Sequence, residues 1–479
     1  MTIFADMLGS ELIYRICEAF GLMSPTAEQL KALEVLIQFM TDRTADRPVM
    51  VLRGSAGTGK TTLAAAVVKA MVGMSQKLVL MAPTGRAAKV FSLYAGELAY
   101  TIHRRIYRQQ TAGDLSAFRL NDNLHTDTLF IVDEASMVSH ASTGDMFGSG
   151  DLLDDLISYV YQGHNCRLML IGDGAQLPPV GEEEAPALMG GVLRQYGLTV
   201  YEADLNEVLR QSQESGILYN ATLVRRIITH DNMTQLPRLK LQGFTDISVV
   251  TGEELIERLA GSFSRVGQDE TVVVCRSNKR ANIYNQGIRN TVLDREELLS
   301  RGDQLMVVKN NYFWAPKKDI PFLANGDRCV VYKVRNEEEL YGFHFADVTL
   351  QFPDYDDYEL TAKVILDTLT TEAPALKREQ QEQLYNNVLE DYADVPLKSD
   401  RLKALKGDAY YNALQVKYAY AVTCHKAQGG QWAHVYIDQG YMTDEMLTAD
   451  YIHWLYTALT RATEHVYLVN WPEVQVLLP

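Results

Sequence analysis

Three scarcities narrow the field before any motif is read. Cysteine is rare: Cys17, Cys166, Cys275, Cys329 and Cys424 are scattered, odd in number and without a C-x-x-C pair. That usage argues against a disulfide framework or a zinc site and suits a reducing, cytoplasmic setting. No apolar run reaches the length of a membrane span. The opening stretch, MTIFADMLGSELIYRICEAF, has no basic lead and mixes acidic with apolar residues. It reads as an amphipathic helix rather than a signal peptide. Positive charge is in deficit, with 45 Lys and Arg against 61 Asp and Glu, a net −16. On composition alone this opposes nucleic-acid binding, because phosphates need cations. A whole-chain average still allows a groove with its own basic lining.

What is present starts with a length of 479 residues, which suggests about three domains. The stretch VMVLRGSAGTGKTTL, from Val49 to Leu63, reads as an apolar strand, a glycine-rich loop and a helix start. Its loop fits G-x-x-x-x-G-K-[ST], with Gly54, Gly59, Lys60 and Thr61 at the fixed positions. Glycines at 54, 57 and 59 let successive N–H groups turn inward toward phosphate oxygens. The following helix offers its positive N-terminus to the same anion. Thr58 and Thr62 sit inside this cradle, Lys60 can reach the terminal phosphates, and the Thr61 hydroxyl can hold Mg²⁺. A nucleoside triphosphate is the expected ligand.

Further strand-to-loop-to-helix units follow: KLVLMAPTGRAAKVF, TLFIVDEASMV with the helix DLLDDLISYVYQG, and RLMLIGDGAQLPPVG. Alternating strands and helices, with the chemistry at the strands' C-terminal ends, give a doubly wound α/β pattern. TVVVCRSNKRANIYNQGIR and VKYAYAVTCHKAQGGQW indicate a second α/β unit. Between them, residues 325–410 change texture to short strands around Asn325-Gly326, then a charged helical stretch. Residues RQQTAGDLSAFRLNDNLHTD read as a small hairpin-like insertion in the first unit.

Asp133 and Glu134 close the apolar strand LFIVDE. An ATPase needs one carboxylate for Mg²⁺ and another for the attacking water, and adjacent residues on a strand point to different sides. Gln176 is a neutral group able to sense a γ-phosphate, though its turn alone would be ordinary. Arg210 and Arg461 are the guanidinium candidates; an isolated arginine more often makes a structural ion pair.

The ordered set PTAEQ, GSAGTGKTT, APTGRAAK, TIH, VDEASM, GDGAQLPPVG, EVLRQ, VTCHKAQGGQW and YTALTRA resembles superfamily 1 helicases of the 1B branch. The likeness is to RecD-like and phage Dda-like enzymes, and it covers both α/β halves. It implies two RecA-like domains, 1A over 1–104 and 128–200 and 2A over 201–324 and 411–479. It also implies a strand-separating pin at 105–127 and an SH3-like insertion at 325–410. Gln29 would recognise adenine, Asp133 would hold Mg²⁺ with Thr61, and Glu134 would be the catalytic base. Gln176, Arg210 and Arg461 would contact the γ-phosphate, with Arg461 as the arginine finger. Pro83, Thr84, Arg86, Thr101, His103, Thr423, His425 and Lys426 fall in motifs that contact single-stranded DNA. Their hydroxyls, imidazoles and cations suit phosphates. Phe313 and Trp314 are candidates for base stacking or for the core.

The resulting expectation is a monomeric ATP- and Mg²⁺-dependent DNA helicase that moves 5′ to 3′ on single strands and opens duplex junctions. A translocase that remodels protein–DNA complexes and an RNA helicase are the alternatives.

Overall fold

The computed structural model describes residues 2–20, 25–109, 118–140, 148–207, 214–229, 236–315 and 322–477. The first half yields β1 (Pro48–Gly54), β2 (Lys77–Ala82), β3 (Ala99–Thr101), the short pair β4 (Tyr107–Gln109) and β5 (Phe118–Leu120), then β6 (Thr128–Val132), β7 (Arg167–Gly172) and β8 (Thr199–Leu205). Apart from β4 and β5, these form one parallel sheet in the order β3-β2-β6-β7-β1-β8. Strands such as LFIV are apolar without alternation because helices cover both sheet faces. The helix Lys60–Gly73 buries Leu63, Val67, Val68 and Met71 against one face. The N-terminal helix Thr2–Ala19 adds Leu12 and Ile16, one turn apart, to the same core. Each such side chain contributes roughly 1.5–3 kcal/mol.

The second half supplies β9 (Ile247–Val250), β10 (Thr271–Cys275), β11 (Gln304–Val307), β12 (Arg328–Leu340), β13 (Phe343–Phe352), β14 (Tyr358–Ile365), β15 (Leu414–Tyr418), β16 (Ala421–Thr423), β17 (Trp432–Asp438) and β18 (Ala462–Val469). A second parallel sheet runs β16-β10-β17-β18-β9, and β11 to β15 close into a barrel. The expected α/β architecture with a small β-rich insertion is what the chain adopts.

Three expectations need adjustment. A break at residue 200 would cut β8, which pairs with β1 along its whole length. The barrel is wider than residues 325–410, since its closing strands β11 and β15 lie outside that range. Asn325-Gly326 does form a turn, with Asp327 N donating to Ala324 O at 3.1 Å, but the β12–β13 hairpin closes at Tyr341-Gly342, both at positive φ. A tyrosine in the left-handed region costs about 1 kcal/mol. The charged stretch compensates: in its helix Arg378–Glu390, Asn387 Nδ2 donates to the Tyr341 carbonyl at 3.0 Å. Leu384 and Val388, one turn apart, bury against Phe343 and Phe345. The helix thus packs on the barrel.

Strands β4 and β5 pair antiparallel at the place expected of the pin; residues 110–117 of that segment lie outside the described residues. Among the described residues, no helix is long and apolar enough to cross a membrane.

Candidate functional site

The loop after β1 is shaped by glycine where a side chain would collide. A Cβ on Gly54 would sit 2.8 Å from Lys60 Cγ and Thr58 Oγ1 and 3.0 Å from Leu205 Cβ. Gly57 and Gly59 hold φ of 76° and 79°, a region L side chains avoid. Thr58 is buried and donates its hydroxyl to the Ser55 carbonyl at 2.8 Å, bracing the loop from behind. Lys60 Nζ donates to the same carbonyl at 3.0 Å and lies 4.0 Å from Asp173 Oδ2.

This loop forms one wall of a cleft of about 430 Å³. Lys60, Thr61 and Thr62 line it with Asp133, Glu134 and Gln176 from the first sheet's strand ends. The opposite wall comes from the second half and carries Arg461. Residues more than 400 positions apart in sequence therefore face one space, as the α/β rule for strand carboxyl ends requires.

The electrostatics suit a metal-bound polyphosphate. Burial, with Glu134 alongside, raises the Asp133 carboxyl above the usual carboxylate range, and Lys60 only partly offsets this. A site that pushes its carboxylate upward favours an incoming cation. Thr61 and Asp133 offer the hydroxyl and single carboxylate that Mg²⁺ accepts when phosphates complete its shell. Among the described residues, no cluster of His, Cys, Asp and Glu makes an all-protein metal site. Glu134 holds φ 52°, ψ 37°, a left-handed conformation for a non-glycine residue. Strain of this kind, about 1–3 kcal/mol, concentrates where a side chain must be aimed. Gln176 has a buried side-chain oxygen with no partner among the described residues. A water, or with the amide turned over a phosphate, would satisfy it.

Arg461 is 3% exposed and folds onto neutral acceptors: Thr457 O, Gly430 O and Thr460 Oγ1, each at 3.1 Å. Arg210 lies outside the described residues. A different guanidinium, that of Arg225, reaches the loop and donates to Ser55 Oγ. Gln29 is not on the cleft wall. Its side chain closes a capping box with Thr26 and donates to the Thr58 carbonyl at 3.4 Å, so this arrangement braces the loop instead of exposing an adenine-reading amide.

The nucleic-acid candidates fall into separate groups. Pro83 and Thr84 follow β2, and Thr101 ends β3, its register partner being Ala82. Thr84 and Thr101 use their hydroxyls as helix caps, accepting from Ala87 N and Arg104 N at 3.2 Å. His103 packs its ring 5.7 Å from Tyr107 at the base of the β4–β5 pair and 6.3 Å from Phe322. Thr423 and His425 line a cavity of about 260 Å³ with Pro178, Pro179 and Trp454. Lys426, next in sequence, is pushed down to about 8 by burial. Arg86 instead stacks on Trp432 and donates to the Gln431 carbonyl, tying the halves together. Trp314 packs against the barrel core and donates its indole N–H to Asn412 O at 2.9 Å, whereas Phe313 borders a separate cavity.

Tyr456, Trp432 and Arg225 were not singled out from sequence. Tyr456 belongs to YTALTRA, Trp432 ends VTCHKAQGGQW, and Arg225 lies on the helix Gly216–Thr229 that follows EVLRQ. Motif membership was the available signal for the first two.

A family model described as an AAA domain matches residues 26–244, and one described as a UvrD-like helicase C-terminal domain matches residues 418–469. The uncharacterized protein MJ1519 of Methanocaldococcus jannaschii is 24% identical over 496 residues, covering 94% of this chain and 39% of that protein. The ATP-dependent RecD2 DNA helicase of Deinococcus radiodurans is 34% identical over 185 residues, covering 38% of this chain and 22% of that protein. The crystal structure of Pif1 helicase from Bacteroides with ADP-AlF3 and ssDNA aligns over 95% of both chains, at 14% identity and a TM-score of 0.47. The chain thus spans less than half the length of these two sequence relatives.

Proposed function

We propose that the chain is a superfamily 1B ATP-dependent DNA helicase working as a monomer in the cytoplasm. The observation that carries this reading is the cleft with Lys60, Asp133, Glu134 and Gln176 on one wall and Arg461 on the other. A triphosphate in such a cleft can pull its walls together, and hydrolysis can release them.

In this reading Lys60 and the loop N–H groups bind the phosphates, with Thr61 and Asp133 holding Mg²⁺. Glu134 takes the proton of the attacking water. Gln176, Arg210 and Arg461 read the γ-phosphate, and Arg461 stabilises charge as the phosphoryl group leaves. Pro83, Thr84, Thr101, His103, Thr423, His425 and Lys426 hold single-stranded DNA, with stepping 5′ to 3′. The 105–127 segment divides the duplex at the junction. The likeness to a protein named as an ATP-dependent DNA helicase supports DNA as the substrate.

Lys60→Ala tests the nucleotide site. DNA-stimulated ATP hydrolysis should fall by at least about 10²-fold, the usual result of removing one charge-stabilising group. Survival of that activity would sink the assignment. Partial duplexes with 5′ or 3′ tails test polarity: opening of only the 3′-tailed substrate would reverse the proposed direction.

A further inference from the structure

One side chain from the second half reaches into the phosphate-binding loop itself. Tyr456, on the helix Ala449–Leu459, is 1% exposed. Its hydroxyl donates to Asp173 Oδ2 at 2.6 Å and accepts from the Ala56 backbone N–H at 2.9 Å. Asp173 is the carboxylate 4.0 Å from Lys60 and also accepts from Ala175 N at 3.0 Å. The next residue, Thr457, accepts on its hydroxyl from Leu177 N at 2.8 Å, beside Gln176. The Thr457 carbonyl in turn accepts from Arg461 Nε at 3.1 Å.

These bonds make a continuous link. It runs from the loop, through Tyr456 and Thr457 on one turn of helix, to the guanidinium at that helix's end. A bound triphosphate would draw Lys60 off Ser55 O and away from Asp173, leaving Tyr456 as the side chain bound to that carboxylate. Any shift of the loop or of Asp173 would then reach the helix that ends two residues before Arg461. Burial and Asp173 raise the phenol well above its ordinary range, so the hydroxyl keeps its proton and remains a donor.

We infer that Tyr456 is a positioning residue that couples the state of the phosphate-binding loop to the placement of Arg461, setting turnover rather than nucleotide affinity. The inference rests on the nucleotide site proposed above and goes beyond it by assigning the coupling element.

Tyr456→Phe removes the hydroxyl and keeps the ring in its packing. DNA-stimulated kcat should fall about tenfold while KM for ATP and the affinity for a non-hydrolysable ATP analogue stay within about threefold, a coupling of ordinary size. In an Arg461→Ala background the same change should produce no further drop, because the group it positions is gone. Two results overturn the inference: turnover of Tyr456→Phe within twofold of wild type, or equal losses with and without Arg461. Lys60→Ala separates the failures. If it stays active, the nucleotide site is misassigned; if it is inactive while Tyr456→Phe is normal, the coupling role alone falls.

Discussion

The guanidinium of Arg86 lies over the indole of Trp432, 4.5 Å from the ring centroid. Arg328, the first residue of β12 in the barrel, approaches the same ring at 5.8 Å. One indole on β17 therefore joins the helix after β2, the second sheet and the barrel. Burial pulls Arg86 below its ordinary range and, with Arg86 nearby, brings Arg328 down to about 10. Asp354, Glu270 and Asp269 favour the charged form of both.

The position of Arg86 gives two distinguishable outcomes. A guanidinium held on Trp432 stabilises the junction by about 0.5–2 kcal/mol. Arg86→Ala should then lower the unfolding midpoint and leave the salt dependence of single-strand binding unchanged. If Arg86 holds a phosphate, the slope of log K against log salt should shrink by about 0.7. Anisotropy titrations across a salt series, beside a denaturant melt, decide between them.

At Gly54 the obstacle is space. A methyl group there meets Lys60, Thr58 and Leu205 at or inside 3.0 Å, and the β8 contact cannot rotate away. Gly54→Ala should cost about 1–3 kcal/mol of stability through overpacking. It should also displace Lys60 and weaken nucleotide binding. Thermal melts with and without ATP analogue check both: the ligand-induced rise in midpoint should shrink along with the midpoint itself.

The α/β order and the phosphate-binding loop were legible because each is encoded locally, by apolar strands ending in glycine or carboxylate. Contacts between halves were not. Tyr456 meets Ala56 across 400 residues, and Arg225 meets Ser55 across 170, with no spacing rule to link them. Gln29 was read as an adenine reader, yet its polar atoms serve a helix cap and the loop behind it. The charged helical stretch near 372–394 has no motif to show its role. Leu384 and Val388, on one face of its helix, pack with Leu376 just before the helix against Phe343 and Phe345 of the barrel. Pattern alone did not show which surface that face would meet.

Lys426 predicts a pH dependence with opposite signs for binding and stability. Burial holds its folded pKa at about 8, below the 10.5 of an exposed lysine. Between about pH 8 and 10.5 the unfolded chain binds more protons, so stability rises with pH in that window. Single-strand affinity moves the other way, since loss of the proton removes a phosphate contact worth up to about tenfold. Lys426→Met should flatten the binding profile between pH 7 and 9. It should also raise the pKa of buried Lys417, which burial and Lys426 together hold at about 8. Titrations at fixed ionic strength would show it; an unchanged profile in Lys426→Met would remove Lys426 from the DNA site.

Arg461 makes its hydrogen bonds to two carbonyls and a hydroxyl. A buried guanidinium satisfied by neutral acceptors retains its full charge for an incoming anion, which a carboxylate partner would have cancelled. If that anion is a phosphoryl group in flight, the interaction strengthens only as charge develops. Arg461→Ala should then leave the affinity for an ATP analogue within about threefold and cut turnover by about 10³-fold, the scale of an arginine finger. Arg461→Lys should recover little, because an ammonium keeps the charge but not the planar fork. Equilibrium binding and single-turnover hydrolysis on the same protein separate the two effects. Equal losses in both would mean that Arg461 holds the ground state, and the finger would have to be sought elsewhere on the second wall.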